Sequence, residues 1–137
     1  MKLTALEIAE RQLITALQMW RDGDFISCIT LAGAAEEILG KRMRKLGLEP
    51  SFDNIKETIV KFARHLGEHE PNIDKTIADL MNLTRNELKH YAGDESLEFD
   101  IKADAEEMLE RAVSNYTSLT GKLPEGILHF WDTPNGT

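Results

Sequence analysis

Apolar residues recur every three or four positions over five successive stretches of this chain, and this spacing limits its fold more than any other feature. Residues three and four apart share one face of an α-helix, whereas a half-buried strand needs strict alternation. The spacing predicts helices over about Leu3–Arg21, Phe25–Leu46, Phe52–Leu66, Asn72–Tyr91 and Lys102–Leu119. No strand pairing is evident, so the predicted fold class is all-α.

The segments between these helices are short and contain residues that end helices. Asp24 is placed to cap the second helix, and Gly47 and Gly121 are placed to end the second and the last. Short connections join antiparallel neighbours, so the pattern predicts an up-and-down antiparallel bundle of four to five helices. We expect this bundle to occupy residues 1–122, followed by an apolar C-terminal tail at residues 123–137.

The apolar positions also predict which side chains face inward. The third helix is expected to bury Ile55, Ile59, Phe62 and Ala63, and the small residues around Gly33 are expected to let another helix approach closely. The predicted stripe of the fourth helix comprises Ile73, Ile77, Leu80, Met81, Thr84, Leu88 and Tyr91. The tail is expected to dock on the bundle or on a second subunit through Ile127, Leu128, Phe130 and Trp131.

Charge and cysteine content narrow the class of protein. A net charge of −8 argues against a protein that coats nucleic acid through bulk positive charge, although a small basic cleft is compatible with it. Cys28 is the only cysteine, and no secretory segment is evident at the N-terminus, so we expect a cytoplasmic protein. No apolar run approaches the roughly 20 residues of a membrane span.

The densest cluster of ligand-binding side chains is the segment Arg85–His90, which we call the basic motif. On the predicted fourth helix Arg85 and His90 flank the polar face, with Asn86 and Lys89 between them, opposite the apolar stripe. Asn86 and His90 are four residues apart and therefore neighbours. Hydrogen-bond donors, a titratable imidazole and no carboxylate on this face suit an anionic ligand or a phosphodiester.

The basic motif resembles the signature of the HEPN family of all-α domains: an arginine (Arg85), a polar residue (Asn86), a short spacer and a histidine (His90). Ala34–Leu39 resembles the small-residue helix of that family, and the helix order is similar over about residues 3–120. The resemblance implies a HEPN-like homodimer in which two copies of the motif line one cleft.

The resemblance further implies either a metal-independent endoribonuclease or a protein that binds RNA or a nucleotide. His90 would act as general acid or base, and Arg85 would hold the phosphate and stabilise its developing charge. Asn86 would orient His90 or bind a phosphate oxygen, and Lys89 would support ligand binding. Whether the protein is an enzyme stays open, because some members of the family only bind nucleotides or partner proteins.

The alternative is a non-catalytic helical module that binds another protein. One example is a component of a toxin–antitoxin-type system, whose partner would be a nucleotidyltransferase-like protein. The negative net charge favours this alternative, whereas the intact basic motif favours RNA or nucleotide binding.

Glu36 lies within the apolar stripe of the second predicted helix, between Ile29 and Leu39. A buried carboxylate costs several kcal/mol unless it is paired or hydrogen-bonded. We expect Glu36 either to pair with Arg85 or Arg11, or to reach solvent where the stripe opens.

Two histidine patterns have the spacing of metal ligands, and we interpret neither as a metal site. His65, Glu68 and His69 match an inverted zinc-protease helix, but Gly67 and Pro71 interrupt the helix that would be needed. Glu87–His90 is one half of a di-iron ligand set, which requires a second such pair. The sequence therefore predicts no metal and no cofactor.

Overall fold

The computed structural model of the chain describes residues 1–91, 93, 96 and 98–127. That part of the chain contains six helices and no strand: α1 (Ala5–Arg21), α2 (Phe25–Lys45), α3 (Ser51–His65), α4 (Ile73–Met81), α5 (Leu83–His90) and α6 (Ile101–Thr120). The prediction of an all-α bundle is confirmed, with one helix more than the upper predicted number. None of these helices combines the length and the apolar character needed to cross a membrane.

The helix ends follow from local side-chain chemistry. Thr4 and Glu7 form a reciprocal capping box at the start of α1, each side chain accepting a hydrogen bond from the other residue's backbone N–H. Asp24 caps α2 as predicted, because its carboxylate accepts a hydrogen bond of 3.1 Å from the backbone N–H of Ser27. Gly121 ends α6 in the left-handed conformation, at a φ of 69° that favours glycine.

Helix α2 is the central element of the bundle and packs against both α1 and α6, which also contact each other. The three-residue connection Asp22–Asp24 makes α1 and α2 antiparallel neighbours. Each fully buried leucine stabilises the fold by about 1.5–3 kcal/mol relative to an exposed one. The buried apolar core comprises Ala9, Leu13, Ala16, Leu17, Trp20, Cys28, Ile29, Ala32, Ala35, Leu39, Ala105, Met108, Leu109, Ala112, Tyr116 and Ile127.

The predicted single helix over Asn72–Tyr91 is wrong, because the chain leaves helical geometry at Asn82 and forms α4 and α5 instead. Asn82 has φ −107° and ψ 8°, and its side-chain oxygen accepts a hydrogen bond from Arg111. Asparagine tolerates such a junction because its side chain competes with helical hydrogen bonding. The basic motif therefore lies on the fifth helix of the chain rather than on the fourth.

The predicted inward face of α3 is also wrong. Ile55, Ile59 and Phe62 are 37%, 38% and 64% exposed, and no residue of α3 is fully buried. The reason is that α3 packs only lightly on α4 and α6, which leaves this face partly exposed, and Ala63 is half-buried. Leu66 extends it, and we call these four residues the α3 apolar row. Leu80, predicted to face inward from α4, is likewise exposed.

The described part of the C-terminal tail contributes two buried residues, Pro124 and Ile127. Ile127 is buried and packs in the core, whereas Leu123 is exposed. Leu128, Phe130 and Trp131, which we expected to dock with it, lie outside the described residues.

Candidate functional site

Helix α5 is held against the bundle by an apolar contact with the core and a hydrogen bond to α6. Leu88 packs on the core from its inner face. Thr84 donates a hydrogen bond of 2.7 Å from its hydroxyl to the Asp104 carboxylate at the start of α6. Together with the break at Asn82, these contacts fix the rotation of α5 and hence the direction in which each side chain of the basic motif points.

Arg85 faces α2 and lies against Gly33. Its side chain is only 17% exposed, and a Cβ atom at Gly33 would overlap the Cδ atom of Arg85. The close approach predicted at the small residues of α2 is thus made by an arginine side chain. The expectation that Arg85 lies on the exposed polar face is wrong, because α5 starts anew after Asn82 and turns Arg85 towards the carboxylate of Glu36.

Glu36 is buried between two arginines. Its Oε2 atom is in close contact with Nη2 of Arg111, and its Oε1 atom lies 3.8 Å from Nη1 of Arg85. Of the two partners expected from the sequence, Arg85 is therefore present, at ion-pair distance, whereas Arg11 is exposed on α1. The alternative prediction, that Glu36 reaches solvent, is wrong because the residue is only 6% exposed. We call Arg85, Glu36 and Arg111 the arginine–glutamate cluster.

Arg111 is the closer partner of Glu36, and this pairing was not predicted from the sequence. It is 2% exposed, its guanidinium lies 4.6 Å from the centre of the Phe52 ring, and its Nη2 atom donates a 3.0 Å hydrogen bond to Asn82. Burial lowers the pKa of Arg111, although the charge of Glu36 acts in the opposite direction. A guanidinium nevertheless stays protonated in proteins. The sequence does contain an indication of a buried arginine, because Arg111 interrupts the apolar stripe of α6 one turn after Met108.

A groove of about 300 Å³ runs between α2 and α5, and we call it the α2–α5 groove. Arg85 and Lys89, one helical turn apart, form its basic wall. Its opposite wall and floor are mainly apolar and come from α2, as Thr30, Gly33, Ala34, Glu37 and Ile38. Glu37 adds one carboxylate to this lining and forms an ion pair of 3.6 Å with Lys41. Two cations beside a mainly apolar floor can hold a phosphate group while a less polar part of the same ligand contacts α2.

Asn86 and His90 occupy a different face of α5. They are rotated about 100° and 140° around the helix from Arg85. His90 is exposed in the last turn and Asn86 is half-buried, so the imidazole can exchange protons with solvent or with a ligand. The structure thus brings Arg85 and Lys89 together along one groove and places the buried Glu36 carboxylate next to Arg85. It leaves Asn86 and His90 as neighbours on the adjoining surface.

In the part of the chain that the structure describes, no three of the His, Cys, Asp and Glu side chains lie close enough together to hold a metal ion. The basic motif itself offers a guanidinium, an ammonium, an amide, an imidazole and the carboxylate of Glu87.

No family model, no curated protein and no solved structure matches this chain.

Proposed function

We propose that this chain is a HEPN-like protein that binds RNA through the basic motif and cleaves it without a metal ion. The proposal takes the phosphate-binding role of Arg85 and the proton-transfer role of His90 from the resemblance of Arg85–His90 to the HEPN signature. The observation that carries it is the place of Arg85, held beside Lys89 along the α2–α5 groove.

The charges around Arg85 favour an anionic ligand even though the chain as a whole is acidic. Glu36 has its closer contact with Arg111, and Nη1 of Arg85 lies 3.8 Å from it, beyond hydrogen-bond distance. A guanidinium has five donors, so Arg85 keeps the capacity to bind phosphate oxygens in a fork. Lys89 adds a second cation one turn away.

For proton transfer, the His90 imidazole must lie within hydrogen-bonding distance of a ribose hydroxyl. In the proposed reaction His90 removes the proton of a ribose 2′-hydroxyl, and that oxygen attacks the adjacent phosphorus. The bond from phosphorus to the 5′-oxygen breaks, and the leaving oxygen takes a proton from His90 of the partner subunit. Arg85 stabilises the charge that develops on the phosphate. Because His90 and Arg85 point to different faces of α5, a second copy that brings another basic motif opposite is part of the proposal.

Incubation of the protein with a labelled single-stranded RNA and excess EDTA tests this function. We expect the wild type to bind and cleave the RNA, Arg85→Met to lose binding, and His90→Ala to keep binding and lose cleavage by about 100-fold or more. Arg64→Met and His69→Ala are matched controls, since both residues are exposed and outside α5. Cleavage that persists in His90→Ala would exclude the proposed mechanism.

Sedimentation equilibrium tests the paired cleft. We expect a homodimer at tens of micromolar protein, and heterodimers of Arg85→Met with His90→Ala chains should recover part of the cleavage if two motifs share one cleft. A protein that stays monomeric at that concentration while cleaving RNA would contradict the two-copy arrangement.

The α3 apolar row favours a second candidate function, a non-catalytic module that binds a nucleotidyltransferase-like protein. Four apolar side chains exposed along one helix face resemble the anchors of a helical interface. Co-expression with such a protein, if one is encoded beside this chain, tests this candidate. A complex that survives Arg85→Met but is lost in Phe62→Asp would favour protein binding, and a complex insensitive to Phe62→Asp would exclude this surface.

A further inference from the structure

We propose that Arg111 is a positioning residue that keeps Arg85 available to phosphate by neutralising Glu36. The inference rests on the proposed function, since it assigns to the same site a residue that controls the affinity of the site for anions. It concerns a buried charged residue that neither touches the α2–α5 groove nor belongs to the basic motif.

The first support is the unequal sharing of the Glu36 carboxylate. Arg111 is in direct contact with Oε2, whereas Arg85 remains 3.8 Å from Oε1. A shift of about 1 Å would bring Arg85 to the usual distance of a charge-assisted hydrogen bond. Arg85 thus stands next to a carboxylate whose main partner is already in place.

The second support is the charge of the arginine–glutamate cluster. One carboxylate and two guanidinium groups sum to +1, whereas Glu36 and Arg85 alone would sum to zero. A buried carboxylate without Arg111 would have Arg85 as its nearest cation, and it would draw Arg85 into a tight pair. A phosphate ligand would then have to compete with Glu36 for the same donors.

The third support is that Arg111 is fixed by contacts of its own. Its two terminal nitrogens donate to the side-chain oxygen of Asn82 and, at 3.4 Å, to the carbonyl oxygen of Met81. Its guanidinium also lies over the ring of Phe52. At 2% exposure it does not reach a ligand in the groove, so any influence on binding passes through Glu36.

Binding of a fluorescent single-stranded RNA to four variants tests the inference. We expect Arg111→Met to weaken binding by about tenfold, because Arg85 would pair with Glu36. In the double variant Glu36→Gln/Arg111→Met the neutral amide no longer holds Arg85, and binding should return to within about threefold of the wild type. Adding Arg85→Met to the Arg111→Met variant or to the double variant should abolish RNA binding.

The double variant keeps the test decisive if Arg111→Met alone does not fold, since it removes both buried charges together. Weak binding by a folded double variant would overturn the inference, and so would wild-type affinity in a folded Arg111→Met variant. A purely structural role for Arg111 predicts that adding Glu36→Gln brings no recovery of affinity.

Nitrogen-15 NMR of the Arg85 side chain separates this inference from the proposed function. We expect proton exchange at the Arg85 guanidinium to slow in Arg111→Met and to recover in the double variant, with no ligand present. If these changes occur but the wild type does not bind RNA, the proposed function fails and the positioning role stands. If RNA binds through Arg85 but its exchange is the same in all variants, the positioning role fails alone.

Discussion

Arg85 crosses the backbone of α2 at Gly33, where the absence of a side chain leaves room for its Cγ and Cδ atoms. This relationship couples a glycine in the middle of a helix to the main cation of the candidate site. A glycine in a helix interior costs roughly 0.5–1 kcal/mol relative to alanine, so the position is unfavourable for the helix alone. The close contact with Arg85 explains why a glycine occupies this position.

Gly33→Ala should therefore reduce RNA affinity while changing the stability of the fold much less. We expect RNA affinity to fall by about tenfold because the new methyl group displaces Arg85, while the gain in helix propensity offsets much of the packing cost. Gly40→Ala is the matched control on the same helix, since a Cβ there meets its neighbours at 3.7 Å, an ordinary contact. Titration with labelled RNA and urea denaturation measure the two effects, and equal affinities for both variants would contradict the prediction.

Asn115 should be important for stability because it joins three helices. It is fully buried, its side-chain oxygen accepts a 2.9 Å hydrogen bond from the backbone N–H of Ser51, and its amide donates to the carbonyl oxygen of Glu36 at 3.4 Å. Asn115→Ala should lower the free energy of unfolding by about 2–3 kcal/mol, since it leaves the N–H at the start of α3 without a partner. In urea denaturation the exposed neighbour Ser114→Ala should change little, and a similar loss in both variants would contradict this role.

The pair Arg44–Asp53 should make stability depend on acid pH. The hydrogen bonds from Arg44, of 2.9 and 2.8 Å, are the main cause that lowers the pKa of Asp53 below its ordinary value. A lowered pKa in the folded state means that the pair stabilises the fold above about pH 4, the ordinary range of an aspartate, and that this contribution is lost as pH falls through the folded pKa.

Asp53→Asn should accordingly lower the free energy of unfolding by about 0.5–1 kcal/mol at pH 7, because the pair is partly exposed. The difference from the wild type should shrink towards zero as the pH falls below the folded pKa of Asp53. Urea denaturation of both proteins between pH 2 and 7 measures it, and a difference independent of pH would show that the pair does not titrate as described.

Cys28 should be unreactive in the folded protein. It is fully buried in the core, and burial, followed by the nearby charge of Asp24, raises the pKa of its thiol to about 12. Because the thiolate is the reactive form, a thiol reagent at pH 8 should label the protein only after unfolding in denaturant. Labelling of the native protein at the rate of a free thiol would contradict this placement of α2.

The all-α class, the positions of α1, α2 and α6, and the caps at Asp24 and Gly121 could be predicted from the sequence. These features depend on residues close together in the chain, since helical periodicity and capping act over three or four positions. The break at Asn82 could not be predicted in this way, because its side chain is held by Arg111, 29 residues later in the chain.

Local patterns in the sequence thus specify most of the helical segments and the residues that carry cationic and imidazole groups. Long-range packing turns Arg85 inwards onto Gly33, pairs Glu36 with Arg111 and leaves the α3 apolar row exposed in the described part of the chain. Periodicity fixes the faces of each helix, whereas the partner of a face depends on contacts between distant residues and on where a buried carboxylate finds its counter-charge.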